Sequence, residues 1–74
     1  MSNIMAGLKQ SKKAVEAGNV VKSYVAKDAD SAVVATFLKM CQRREIEVDR
    51  SCDMKELAKL CKIEVPTAVA VVTI

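Results

Sequence analysis

Lys9, Gln10 and Lys13 lie in the stretch GLKQSKKAVEAG, residues 7–18, which has a glycine at each end. Lysine ammonium groups donate to phosphate oxygens and to base acceptors, and a glutamine amide both donates and accepts. A helix that starts here also offers first-turn N–H groups with no partner inside the helix, and these attract anions. The stretch therefore suits either the holding of a polyanion or a solvated basic helix face. The charge distribution is uneven. Residues 1–27 carry five lysines against the single acid Glu16, a net +4, whereas residues 28–74 carry seven bases and eight acids, a net −1. The positive field belongs to the first third of the chain and points to an anionic partner.

Other chemistries find little support. No histidine is present to act as a base, and there is no GxSxG, P-loop or glycine-rich dinucleotide fingerprint, so no catalytic residue is assigned. Asp28 and Asp30 in KDAD read as a turn and a helix cap rather than a carboxylate pair. Cys41, Cys52 and Cys61 are odd in number and lack CxxC spacing, which argues against a disulfide scaffold or a zinc site. Small buried hydrophobes are their expected role, and Cys61, although near Lys59 and Lys62, belongs to an apolar stripe. Tyr24 alone does not make a base-stacking platform. No apolar run approaches the roughly 18 residues of a membrane span, and no signal-peptide pattern opens the chain. The expectation is a cytoplasmic, monomeric protein with no cofactor, metal or membrane partner.

The elements that must position these residues follow from period and punctuation. Seventy-four residues, 51% apolar and 28% charged, make one folded domain, residues 1–74. Between Gly7 and Gly18, Leu8, Ser11, Ala14 and Val15 fall on one helical face, with Lys9, Lys13 and Glu16 on another. Gly18 suits the residue just past the helix end. VVKSYVA, residues 20–26, reads as a strand, followed by the KDAD turn. Asp30 or Ser31 can cap the next helix, whose stripe is Val34, Phe37, Leu38 and Cys41 and which runs to about Arg44. IEVDR from Ile46 is a short strand. Asp53, three residues before Glu56, opens the third helix with an aspartate-led capping box, and Met54, Leu57, Ala58 and Cys61 form its stripe. AVAVVTI then reads as a central strand covered on both faces. Helices alternating with strands give an α/β fold, a single-domain three-layer α/β/α sandwich with a small mixed sheet.

In order and at this spacing, GLKQSKKAVEAGNV, YVAKDAD and MKELAKLCKIEVPTAVAVV resemble the kink-turn RNA-binding family of ribosomal-type proteins. The likeness is to its small bacterial members and runs from Ile4 to Ile74. It implies an α/β/α sandwich that is not an enzyme and that binds structured RNA, ribosomal or regulatory, at a sharp bend with tandem sheared G·A pairs. Residue by residue, the resemblance makes Gly7 the turn that lets the backbone approach RNA. Lys9 and Gln10 become the polar pair at the G·A edges, and Lys13 the base one turn later. Ile63, Glu64 and Val65 become the loop against bulged nucleotides, with Lys55 in support. The physical reading runs alongside: RNA is recognised through shape and displaced bases, and exposed Ile63 and Val65 would cover such bases.

The chain departs from the family pattern at several positions. Gln10 stands where glutamate is common, which replaces an acceptor-only group with an amide and alters selectivity for G·A edges. Ala58 and Lys62 occupy frequent glycine positions; if Lys62 must take a positive φ at the helix end, the cost is on the order of 1 kcal/mol. Ser31 replaces a common proline, and a first helix that covers the sheet in some relatives is missing or reduced. A ribosome-associated or protein-interaction domain on the same scaffold, without kink-turn affinity, is the alternative.

Overall fold

The computed structural model describes residues 3–74. Its elements are β1 (Asn3–Ala6), α1 (Leu8–Ala17), β2 (Val20–Val25), α2 (Ser31–Arg43), β3 (Val48–Asp49), α3 (Met54–Cys61) and β4 (Val69–Thr73). The four strands form one mixed sheet in the order β1-β4-β2-β3. β4 is antiparallel to both neighbours, and β3 runs parallel to β2 at the edge.

Strand alternation separates the two faces of β4. Val69 and Val71 pack with Val15, Val34 and Phe37 from α1 and α2, while Ala70 points the other way, towards Leu57 of α3. The outcome is two helices on one face and one on the other, the three-layer arrangement expected from the sequence. AVAVVTI is indeed the central strand: Val69, Ala70 and Val71 are fully buried between the layers. Among the described residues no helix is long and apolar enough to cross a membrane.

Each helix ends as its residues dictate. Gly18 is left-handed (φ 77°), and its N–H donates back to Ala14 and Val15 carbonyls. Asp30 caps α2 by accepting from the Ala32 N–H at 2.9 Å. Asp53 and Glu56 close both halves of the capping box, with Glu56 N–H to Asp53 at 2.8 Å and Asp53 N–H to Glu56 at 3.1 Å. Asp28 adds a tie not visible in the sequence, accepting the Met54 N–H at 2.9 Å across to α3. Both aspartates of KDAD are thus occupied in capping.

Two features differ from the sequence reading. β1 was not expected; Ile4 and Met5 become strand by pairing with Val72 and Val71 of β4. The strand expected from Ile46 shrinks to Val48–Asp49. Glu45 takes a positive φ of 56°, and the Ile46 N–H donates to the Cys41 carbonyl at 2.9 Å, so this stretch finishes α2 rather than starting a strand. At the other end, the Asp49 carboxylate accepts the Ser51 N–H at 2.8 Å and turns the chain away.

Lys62 does take a left-handed φ, 59°, closing α3 with its N–H on the Ala58 and Lys59 carbonyls. A non-glycine residue there carries steric cost. Lys62→Gly is expected to raise stability by about 0.5–1 kcal/mol, less than the full left-handed penalty because glycine also gains freedom in the unfolded chain. Urea titration checks this: the midpoint should rise at unchanged slope.

Candidate nucleic-acid interface

The antiparallel pairing of β4 with β1 and β2 brings three chain turns to one end of the sheet: the exits of β1 and β2 and the entry to β4. Gly7 occupies the first, Lys27–Asp30 the second, and the α3–β4 loop the third. The Ala26 N–H donates to Ala68 at 2.8 Å, and the Gly7 N–H donates to the Val69 carbonyl at 3.1 Å and to the Thr67 hydroxyl at 3.2 Å. Residues far apart in sequence thereby share one corner.

Gly7 has φ 100° and ψ 141°, a conformation that side chains rarely tolerate. A Cβ at Gly7 would meet nothing within 4 Å, so the glycine serves backbone conformation in the protein itself, and open space lies in front of it. Lys9, Gln10 and Lys13 are exposed, while Ser11, Ala14 and Val15 of the same helix are buried. The burial of one face holds the other outward.

Among the described helices, α1 is the one without a side-chain cap, and it has no acid in its first turn. α2 and α3 both start on aspartates. The α1 terminus thus keeps the positive end of its dipole and its orphan N–H groups available to an external acceptor. The sole ion pair within 4.0 Å among the described residues is Lys22–Asp49 at 3.7 Å, on a different strand pair. Among the described residues, Lys9, Lys13 and Lys55 therefore have no ion-pair partner. Asp49 has its carboxyl lowered, first by the Ser51 hydroxyl and backbone bonds and less by Lys22.

The opposite half of the corner is apolar. Val65 is 65% exposed and Ile63 36%, with Leu60 of α3 also largely uncovered. Glu64 is exposed. Lys55, Ala58, Lys59, Ile63, Glu64 and Pro66 line an open cavity of about 280 Å³. Lys55 and the Ile63–Glu64 pair, eight and nine positions apart, are thus brought to one recess. A second cavity of about 240 Å³ lies between α1 and α2, where Arg43 and Arg44 meet Glu16 and Met40.

The thiols lie apart from reactive chemistry. Cys41 is fully buried; burial pushes its thiol pKa up, opposed by a Ser23 hydroxyl 3.5 Å away. Burial likewise raises Cys61, so Lys59 and Lys62 do not activate it. The expectation of buried thiols is met fully at Cys41, while Cys52 and Cys61 are half-buried. Sequence reasoning missed Thr67 and Leu60, and it placed Asp28 in a turn without its tie to α3. Leu60 alone left a signal, as an apolar residue on the lysine side of α3.

All eight residues singled out from the sequence lie on α1, on α3 or in the loops that meet at this corner. No family model matches the chain. Named relatives do. An RNA-binding protein of Bacillus pumilus is 39% identical over 66 residues, covering 89% of this chain and 80% of the relative. An RNA-binding protein of Caldanaerobacter subterraneus is 38% identical over the same length, with the same coverage. Among solved structures, the Giardia lamblia 15.5 kD RNA binding protein superposes with a TM-score of 0.87 at 25% identity, covering 97% of this chain and 61% of that one. A Bacillus halodurans protein of unknown function matches in fold, with a TM-score of 0.86 at 22% identity over 97% of this chain and 72% of its own. On the strength of the bacterial relatives, the chain belongs to the family of small bacterial RNA-binding proteins that they represent.

Proposed function

We propose that the protein binds structured RNA, and that its target is a kink-turn with tandem sheared G·A pairs. The single observation that carries this reading is the Gly7–Thr67 junction, which ties the uncapped start of α1 to the end of the loop that exposes Ile63, Glu64 and Val65. Lys9 and Lys13 neutralise phosphates and, with Gln10, reach base edges that a regular A-form groove would hide. Ile63 and Val65 cover displaced bases, and Lys55 supports them from across the recess. Glu64 suits a base amino group better than a phosphate. Binding is the whole activity in this reading, with no cofactor and a single copy of the chain in the cytoplasm.

Titration of the pure protein against a kink-turn RNA and a matched duplex lacking the G·A pairs tests the reading. A clear preference for the kink-turn is expected, on the order of tenfold or more, since the duplex offers phosphates but no opened base edges. Equal affinities would reduce the site to general polyanion binding. No binding to either RNA would favour the scaffold-only alternative, a ribosome-associated or protein-interaction domain.

A further inference from the structure

We propose that the Thr67 hydroxyl is a positioning group for RNA recognition, holding the start of α1 at a set spacing from the Ile63–Pro66 loop. The proposal rests on the RNA reading of this corner. Thr67 is only 6% exposed. Its hydroxyl donates to the Val69 carbonyl at 2.8 Å, which commits its one proton. The oxygen is then left to accept, and it takes the Gly7 N–H at 3.2 Å. That N–H also reaches the Val69 carbonyl at 3.1 Å, so the three groups close on one another. The Thr67 N–H in turn donates to the Met54 carbonyl at 3.4 Å, at the first turn of α3. One residue thus joins the starts of α1, β4 and α3.

Two observations argue that this junction does more than satisfy a buried hydroxyl. The bond to Val69 alone would do that. Gly7, moreover, has no side chain, and the space where one would stand is empty within 4 Å, so no side-chain contact of its own locates it. Its placement depends on the pairing of β1 before it and on where its N–H is held. Leu8, Lys9 and Gln10 follow directly, so a shift of Gly7 moves the N–H groups and side chains meant for RNA. The same Thr67 ends the loop that carries Ile63 and Val65.

The test compares wild type, Thr67→Val and Thr67→Ser, each titrated with a kink-turn RNA at several salt concentrations and well below its melting temperature. Thr67→Val should bind about five- to tenfold more weakly, the range of one lost hydrogen bond. Its salt dependence should match wild type, because no charge is lost. Thr67→Ser, which keeps the hydroxyl, should bind within about twofold of wild type. Amide exchange of Gly7 in the free protein should quicken in the valine variant and stay near wild type in the serine variant. Wild-type affinity in Thr67→Val overturns the proposal, as does a serine variant as weak as the valine one, which would assign the effect to shape. If the wild type itself shows no preference for the kink-turn, the RNA reading fails and takes the proposal with it, leaving the Gly7 exchange as the record of a structural tie. If wild type prefers the kink-turn while the valine variant binds equally well, the positioning role alone fails.

Discussion

Reversing both charges at once, Lys9→Glu with Lys13→Glu, is expected to weaken kink-turn binding by about a hundredfold or more near 0.1 M salt. The change removes two cations from the corner and adds two anions beside the open N–H groups of α1. A glutamate at position 9 can also fold back and accept from those N–H groups itself, occupying the place meant for phosphate. The salt dependence should become shallower, with the logarithmic slope falling by about 1.5 for two lost phosphate contacts. The fold should not suffer. Both side chains are exposed and make no ion pair, and an acid in the first turn suits a helix dipole that has none there now. Fluorescence anisotropy across a salt series reads affinity and slope together, with a melting curve as control. Unchanged affinity in a folded double variant would remove this helix from the interface.

The largest loss of stability is expected from Phe37→Ala. Phe37 is the one phenylalanine in the chain and is fully buried on α2, against a cluster that includes Val15, Val25, Val34 and Val71. Removing a buried ring of this kind costs about 3–5 kcal/mol. The neighbours are short and β-branched, with few rotamers that could swing into the space left behind. A chain of this length has on the order of 4–11 kcal/mol in total, so the variant should lose about a third or more of its stability. Urea titration should show the midpoint falling by a corresponding share. A fall in stability below about 1 kcal/mol would mean that the ring is not packed as described, since cavities of that size relax only partly.

Legibility of the fold from the sequence divides along the range of the interactions involved. α2 and α3 could be read because their stripes repeat at helical period and their caps stand one turn away: Asp30 on Ala32, and Asp53 with Glu56. Lys62 at positive φ was legible too, because a helix end usually filled by glycine carried something else. β1 was not, because Asn-Ile-Met-Ala has one β-branched residue and no alternation; its state is imposed by β4, up to seventy positions on (Asn3 opposite Thr73). The same limit applies at the functional corner. Lys9, Gln10, Lys13 and the Ile63–Val65 loop have a local signature, but the junction between them does not. Thr67 meets Gly7 across 60 positions, and Asp28 meets Met54 across 26. Nothing in the residues around either partner announces the bond.

The central place of β4 links assembly to binding competence. β1 and β2 do not pair with each other; β4 lies between them, and β1 meets the sheet only through residues 70–73. Closing it requires Asn3–Ala6 to find a partner at the far end of the chain, a long loop closure that raises the entropic cost of the step and slows it. Until β4 docks, Gly7 has no carbonyl to hold it, and the α3–β4 loop has no fixed end. A partly folded chain can therefore form α1 and α2 yet own no corner for RNA to occupy. Ligand in solution would then act on the global folding equilibrium alone, drawing the population towards the complete fold by mass action and shielding every element at once.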